Sequence, residues 1–366
     1  MALQEFSSFQ QTDTQLWQQQ LGDFPFLQPA FLQALEDNAC FGHGSGWQPH
    51  YLQQGNSQIA AFIKMHSYGE YVFDFAWADA YARYGYVYYP KLIIAAPFTP
   101  VPGPRVLGEQ NPQLWQALAE HCRQKGFSSA HVQFCEEDLI KQLPADWLIR
   151  EGVQFHWFNR AYQDFNHYLD HFVARKRKNT LKERRGIQEM GINILRKSGV
   201  ELTPADWHSF YLCYHNTHAR RGRTGYLTEG FFRQIGQQMP GQILMLQAQY
   251  QGQIIACALF FHDKDALYGR YWGALTDVNN LHFELCYYQG IEFCIENKLR
   301  LFNPGTQGEH KIARGFEPVT TYSAHYIAEP AFARAIGDFI QQEKHELAQY
   351  RAEAALLLPF HRNTER

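Results

Sequence analysis

The segment 303–316 carries the densest set of side chains suited to chemistry in this chain. Its ionisable residues and glycines are Glu309, His310, Lys311, Arg314, Gly305, Gly308 and Gly315. Glu309 or His310 can act as a general base, with Glu309 the first choice. Lys311 and Arg314 can neutralise negative charge on a substrate. The alternative interpretation is a surface loop whose charges are only solvated.

A strongly basic stretch at 175–185 is the second candidate. It has few apolar residues, so we predict an exposed helix. Five of its side chains can bind the phosphates of a tRNA, a nucleotide-linked precursor or coenzyme A: Arg175, Lys176, Arg177, Lys178 and Arg184. A solvated helix without a specific partner is the alternative. A second basic group at 220–223 is a further candidate for the same surface.

Carboxylates lie beside aromatic residues in the first part of the chain. Glu70 and Asp74 are interleaved with tyrosines and phenylalanines, and Lys91 follows the string Tyr88-Tyr89-Pro90. Such a set suits an amine or sugar ligand, so we predict that Glu70, Asp74 and Lys91 contact substrate. A well-packed sheet with satisfied edges is an equally good interpretation.

A helix predicted over 283–297 supplies the remaining candidates. We select Glu284 and Tyr287 on this helix for substrate contact. His282, Glu284 and His310 form a conceivable ligand set, but the chain has no His-Glu-x-x-His motif and no closely spaced Cys/His set. We therefore expect no metal site.

Composition excludes several classes of protein. The chain has 366 residues, of which 45% are hydrophobic, and its net charge is −3, so it is neither disordered nor a bulk coat for nucleic acid. No nucleophile elbow, Walker A loop or dinucleotide fingerprint is present. The seven scattered cysteines suit buried positions in a reducing compartment. With no signal-like N-terminus and no long apolar run, we expect a cytoplasmic protein without a transmembrane segment.

The elements that position these residues alternate between helices and mostly antiparallel strands, which predicts the α+β class. A period-2 pattern predicts a strand from residue 71 before a helix, and five prolines predict a loop or edge passage over 90–104. Two units are expected, 1–150 and 151–366. The second would include the basic helical segment 165–190 and a C-terminal helix over 330–357.

Five strings resemble the FemAB-like family, which is associated with peptidoglycan biosynthesis or recognition and belongs to the GNAT acyltransferase superfamily. They are KMHSYGEYVFD (64–74), YYPKL (88–92), PFTP (97–100), HFELCYYQ (282–289) and GEHKIARGF (308–316). The resemblance spans about residues 25–325 and implies two tandem GNAT-like units, each a mixed, mostly antiparallel sheet flanked by helices, with a basic helical insertion. Fem ligases move an amino acid from aminoacyl-tRNA to an amine on a cell-wall precursor, whereas other GNAT enzymes use acyl-CoA.

The resemblance implies an N-acyltransferase that takes an acyl or aminoacyl group from acyl-CoA or aminoacyl-tRNA. The acceptor would be an amine, on a small molecule or on a cell-wall precursor, and tRNA would be a possible partner. Neither donor is expected to be a tightly bound cofactor. Backbone amides near Gly308 would stabilise the oxyanion. No clean Arg/Gln-x-x-Gly-x-Gly/Ala pyrophosphate loop precedes the predicted helix at 283, which weighs against acyl-CoA. The alternative is a non-catalytic module that binds a cell-wall precursor or a partner protein on a GNAT scaffold.

Overall fold

A computed structural model describes residues 3–42, 44–306 and 308–361. The chain forms two compact units. Unit 1 comprises Met1–Val153 and Thr320–Tyr350, and unit 2 comprises Gln154–Val319 and Arg351–Arg366. Both units combine helices with a mixed sheet, as the α+β prediction requires.

The elements follow one another along the chain as two sets. The first set is β1 (Gln4–Phe6), α1 (Thr14–Leu21), α2 (Pro29–Asp37), β2 (Trp47–Pro49), β3 (Tyr51–Gln54), β4 (Ser57–Ile59), β5 (Ala61–Lys64), α3 (Phe75–Arg83), β6 (Lys91–Ile94), α4 (Pro112–Gln124), β7 (Ser129–Cys135), α5 (Glu137–Ile140) and β8 (Trp147–Phe158). The second set is α6 (Phe165–Asp170), α7 (Ala174–Glu189), β9 (Asn193–Ser198), α8 (Pro204–Ala219), α9 (Glu229–Gln238), β10 (Ile243–Tyr250), β11 (Gln253–His262), β12 (Ala266–Ala274), α10 (Leu281–Phe283), α11 (Gln289–Glu296), β13 (Leu301–Asn303), β14 (Glu317–Ile327) and α12 (Pro330–Leu356).

Unit 1 is built on two sheets. The strand order is β1–β3–β4 in the smaller sheet and β2–β5–β6–β7–β14 in the larger, where only β6 and β7 pair in parallel. Helix α4 covers the larger sheet with a buried face that includes Trp115 and Leu118. It begins at Pro112, because the Asn111 side chain accepts a hydrogen bond from the Leu114 amide and Pro112 suits the first turn.

Two local predictions in this unit are wrong. Lys91–Ile94 forms the buried central strand β6 inside the passage predicted as a loop or edge, because Pro90 and Pro97 flank the strand without interrupting its hydrogen bonds. The strand predicted from residue 71 is absent from the described structure. Tyr71 adopts a left-handed φ of 63°, which breaks the extended pattern, and α3 begins directly after Asp74.

The end of the chain also differs from the predicted division at residue 150. Residues 320–350 belong to unit 1, since β14 pairs with β7 from Tyr322 to Ile327. Helix α12 places Phe332, Ile336 and Ile340 in one apolar cluster with Trp77 and Tyr81. Burial of these side chains holds the helix on unit 1.

Unit 2 contains a sheet of order β8–β13–β12–β11–β10–β9. Only β12 and β13 pair in parallel, and their pairing ends at Tyr268 and Asn303, while β12 continues to Ala274. The helical stretch predicted over 165–190 is two helices, α6 and α7. The helix predicted over 283–297 begins at Leu281 and contains a π-helical turn over Glu284–Tyr288. We refer to α10, this turn and α11 together as helix 281–296.

The cysteines and the membrane prediction concern both units. All seven cysteines are free, and six of them are buried, as expected for a reducing compartment. Among the helices of the described residues, none combines the length and apolar character needed to cross a bilayer.

Candidate functional site

The segment that follows β13 folds into a tight loop and a short 3-10 helix, Glu309–Arg314. Gly308 precedes this helix with a φ of 121°, a conformation that side-chain-bearing residues rarely adopt. The buried Lys311 donates hydrogen bonds from Nζ to the carbonyls of Gly305 (2.7 Å) and Thr306 (3.3 Å). The lysine therefore closes the loop on itself. Gln307 lies outside the described residues.

Arg314 also stabilises this loop, through hydrogen bonds and a stacking contact. Its guanidinium donates to the carbonyl oxygen of His310 (2.8 Å) and to Glu183 Oε2 (2.8 Å). It also stacks over the ring of Phe283, with 3.4 Å between the guanidinium carbon and the ring centroid. Tyr168 donates a hydrogen bond to the Arg314 carbonyl (2.7 Å). Arg314 thus holds the backbone of His310 in place against α7 and helix 281–296.

His310 is exposed to solvent, yet its ring is held in place. Its Nε2 lies 2.8 Å from the hydroxyl of Tyr287, and its ring also contacts those of Phe283 and His282. Partial burial, with the positive charges of Lys311 and Arg314, lowers the pKa of His310, so the imidazole is neutral at pH 7. Burial raises the pKa of Tyr287, which stays protonated. A neutral imidazole held in one orientation can accept a proton.

The neighbours of His310 in the loop differ in exposure, charge and contact with the ring: Glu309, Lys311 and Gly308. Glu309 is exposed next to His310. Burial lowers the pKa of Lys311 to about 7, and its ammonium faces loop carbonyls. A Cβ added at Gly308 would lie 2.3 Å from His310 Cε1, closer than any real contact. A residue with a Cβ at position 308 would therefore force the His310 ring to shift.

A cleft of about 310 Å³ lies at the end of β12, beside the start of helix 281–296. Residues from three elements line it, including Thr217, Arg220, Arg221, Trp272, Asp277 and His282. Arg220 pairs with Asp277 at 2.5 Å. Burial lowers the pKa of His282 to about 4, so its ring is neutral. The centroid of that ring lies 5.3 Å from the ring of Tyr287 and 5.9 Å from the ring of His310. The cleft and the His310 loop thus share His282.

The basic helix α7 contains two kinds of positive charge. Arg184 forms ion pairs with Glu284 (2.9 Å) and Glu292 (2.6 Å), and its guanidinium lies over the ring of Phe165. These contacts tie α7 to helix 281–296, so the buried Glu284 also serves this ion pair. The other predicted anion ligands lie on the first turns of α7: Arg175, Lys176, Arg177 and Lys178. Among them, Arg177 pairs with Asp170 at 2.5 Å.

Unit 1 brings Glu70, Asp74 and Lys91 together in a buried cluster. The ammonium of Lys91 donates to Glu70 Oε2 (2.9 Å), to Ser67 Oγ (2.9 Å) and to Asp74 Oδ2. Gln133 donates to Glu70 Oε2 at 2.9 Å. Glu70 and Asp74 are 3% and 2% exposed, and Lys91 is fully buried. Their role in substrate contact stays a prediction, and their burial favours a structural role.

The pKa values of the two carboxyl groups in this cluster are shifted in opposite directions. Burial raises the pKa of Glu70 to about 7 in spite of the attraction of Lys91. Burial would raise the pKa of Asp74 as well, but Lys91 and His131 lower it to about 2. Lys91, which both carboxylates contact, keeps a raised pKa. The cluster is therefore neutral when Glu70 carries a proton.

The predicted site residues fall into separate groups in the structure. Gly308, Glu309, His310, Lys311, Arg314 and Tyr287 lie around one loop in unit 2, with Glu284 and Arg184 on the neighbouring helices. Sequence reasoning missed the cleft residues Trp272 and His282 as a site, and it placed the basic group at 220–223 on the α7 surface. The signal available was the position of residues 276–279, which lie between a strand and a helix and line the cleft despite lacking the glycine-rich pattern.

Residues 8–362 match the FemAB-like family, described as peptidoglycan biosynthesis/recognition. The C-terminal domain (DUF2156) of a protein assigned as a lysylphosphatidylglycerol synthetase, from Agrobacterium fabrum, is 12% identical, with a TM-score of 0.56 over 90% of this chain and 96% of that one. No protein of curated function matches the chain in sequence.

Two further solved structures are similar. L-PGS from Bacillus licheniformis is 11% identical, with a TM-score of 0.51 over 87% of this chain and 98% of that one. A tandem GNAT protein from the clavulanic acid biosynthesis pathway is 10% identical, with a TM-score of 0.43 over 90% and 99%. The predicted α+β class is confirmed. At these identities the likeness concerns the fold.

Proposed function

The chain belongs to the FemAB-like family of peptidoglycan biosynthesis and recognition proteins, and from that premise we propose that it is an N-acyltransferase. It moves an acyl or aminoacyl group from an activated donor, acyl-CoA or aminoacyl-tRNA, to an amine on a cell-wall precursor. The observation that carries the proposal is the cleft in unit 2, which is lined by Arg220, Arg221 and His282, the last of which contacts the His310 ring.

The donor occupies this cleft. Both classes of donor carry phosphate, aminoacyl-tRNA in the nucleotide that bears the aminoacyl ester and acyl-CoA at the end of the pantetheine arm opposite the thioester, and phosphate is bound by guanidinium groups. Arg221 and Arg220 supply those groups, and Arg220 is held toward the cleft by Asp277. The far end of the donor then lies toward His282 and the His310 loop. The clean glycine-rich loop is absent here, so side chains take over part of the phosphate binding.

His310 acts as the general base in preference to Glu309. The amine nitrogen attacks the donor carbonyl and an N–C bond forms. The bond from the carbonyl carbon to oxygen or sulfur then breaks, and the leaving oxygen or sulfur takes from His310 the proton that the amine has lost. The proton leaving the amine moves to His310, whose neutral ring is oriented by Tyr287. Backbone amides near Gly308 stabilise the oxyanion, as the sequence predicts. Lys311 and Arg314 hold the loop that carries these groups.

Two substitutions in the loop test this assignment. Turnover is followed by mass spectrometry of the acceptor, with acetyl-CoA or charged tRNA as donor and a muropeptide amine as acceptor. His310→Ala is expected to lower kcat about 100-fold or more, while Glu309→Gln, the matched neighbour, stays within a few-fold of the wild type. A loss confined to Glu309→Gln identifies Glu309 as the base. If both variants keep full turnover, the site is elsewhere.

Arg221→Ala tests the cleft separately. The variant is expected to raise KM for the donor with little change in kcat, because the arginine binds a part of the donor that does not react. Arg233→Ala, which removes a surface arginine paired with Glu229, is the matched control. A thermal shift with a muropeptide but with neither donor supports the alternative, a non-catalytic binding module.

A further inference from the structure

Three residues from distant parts of the sequence meet on unit 1. Glu5 lies in β1, His50 lies between β2 and β3, and His121 lies in α4. The two imidazole Nε2 atoms are 2.8 Å apart. The carboxylate of Glu5 is 3.8 Å from His50 Nε2 and 3.8 Å from His121 Nδ1. One ligand atom from each residue lies within 4.8 Å of the other two.

The two histidines are in the form that binds metals. Both are buried, at 9% and 6% exposure, and each ring is packed near Phe127. At a distance of 2.8 Å, one Nε2–H donates to the lone pair of the other Nε2 atom, a contact that two neutral rings make. Neutral imidazole is the usual nitrogen ligand of transition metals.

We propose that Glu5, His50 and His121 bind a divalent transition-metal ion, with Zn²⁺ as the ion that fits best. Two imidazole nitrogens and a carboxylate form a ligand set that suits Zn²⁺. In a tetrahedral zinc site two ligand nitrogens stand about 3.3 Å apart, so the two Nε2 atoms must separate by about 0.5 Å. The proton between them moves to Nδ1 of its own ring, and both Nε2 lone pairs face the ion.

Solvent access and charge fit the same assignment. The Glu5 side chain is 35% exposed, so an ion has an entry path and a water molecule can take the fourth ligand position. Lys125 donates a hydrogen bond to Glu5 Oε2 at 2.8 Å, and its positive charge repels an entering cation. Its side chain is 43% exposed, so it can swing into solvent or stay on the second carboxylate oxygen.

The bound ion would join the N-terminal strand to the body of unit 1. Strand β1 is three residues long and pairs with β3 alone among the described strands. A metal bond from Glu5 to His121 adds a direct link from β1 to α4. The site is separate from the proposed transfer chemistry, which involves residues of unit 2.

Titration of the full-length protein with ZnCl₂ after chelator treatment tests the proposal. The wild type is expected to bind one Zn²⁺ tightly in calorimetry, with a rise in Tm, and Co²⁺ is expected to give the visible absorption of a tetrahedral site. His50→Gln and His121→Gln should each weaken Zn²⁺ binding by at least about tenfold, since even indirect partners of a metal commonly contribute that much. Glu5→Gln should weaken Zn²⁺ binding by the same factor, and it leaves both buried imidazole rings unchanged.

The matched control is His208→Gln. His208 is an exposed histidine that lies 3.3 Å from Glu229, so it represents a surface His–Glu pair without a second imidazole. This variant should bind Zn²⁺ as tightly as the wild type. Wild-type Zn²⁺ affinity equal to that of the His50→Gln and Glu5→Gln variants would overturn the proposal. The absence of a tetrahedral Co²⁺ spectrum in the wild type would overturn it without any variant.

Discussion

Replacing Glu70 by Gln tests how a buried charge cluster controls the pH dependence of stability. Glu70 accepts hydrogen bonds from Lys91 and Gln133, and the amide oxygen of Gln can accept both. The substitution keeps the shape of the side chain and removes its titration. Asp74 stays ionised, because its pKa of about 2 lies below the pH range of the experiment. The cluster in the variant is thus neutral at every pH tested.

The size of the effect follows from the pKa of Glu70. Burial raises this pKa from 4.5 to about 7 in the folded protein. Because the folded-state pKa is the higher one, the stabilisation is fully present below pH 4.5 and is lost as pH rises through about 7. Linkage gives a loss of about 2.5 kcal/mol for the wild type between about pH 5 and about pH 8. Relative to the wild type, Glu70→Gln should gain that amount of stability over the same interval.

Urea unfolding followed by tryptophan fluorescence at both pH values measures the difference. Burial lowers the pKa of Lys64 to about 7 and the Glu70 carboxylate acts against this shift, so the same comparison is made in a Lys64→Met background, where the coupling between the two groups is absent. Glu120→Gln removes an exposed carboxylate and should leave the wild-type pH dependence unchanged. Equal loss of stability by the wild type and Glu70→Gln between these pH values would refute the raised pKa of Glu70.

Two further substitutions test the loop and the unit assignment. Gly308→Ala should lower turnover about a hundredfold with the fold retained, because its Cβ would overlap the His310 ring and displace it; a variant with normal kcat would show that the ring need not stay in place. Ile340→Ala, at 2% exposure, should lower the free energy of unfolding by about 2–5 kcal/mol, measured by urea denaturation. Phe339→Ala, exposed on the same helix, should cost much less. Similar costs would argue against α12 packing on unit 1.

Local sequence signals determined most of the elements. Thr203 and Pro204 mark the start of α8, where the Thr203 side chain accepts a hydrogen bond from the Asp206 amide. The hairpin of β10 and β11 turns at Gln251 and Gly252, which both adopt positive φ as a tight hairpin requires. These signals act within a few residues, so they survive in the sequence alone. The α+β class and the family resemblance rest on them.

Part of the candidate site was also predicted from sequence. The segment 303–316 does fold into a loop in which His310, Lys311 and Arg314 are fixed by contacts. What each side chain faces was not predicted. Arg184 belongs to the basic run at 175–185, yet it serves two carboxylates of helix 281–296. The sequence does not show whether the partner of a basic residue is a ligand or a carboxylate a hundred residues away.

Only tertiary structure decided how distant residues meet. Strand β6 is central although prolines surround it, because its place depends on pairing with β5 and β7. Glu5, His50 and His121 converge through three elements with no spacing that a motif describes. Residues 320–350 join unit 1 through β7. Helix starts and turns depend on backbone conformation and neighbouring side chains, whereas sheet order and buried contacts depend on which apolar faces are covered together, and no short stretch of sequence contains that information.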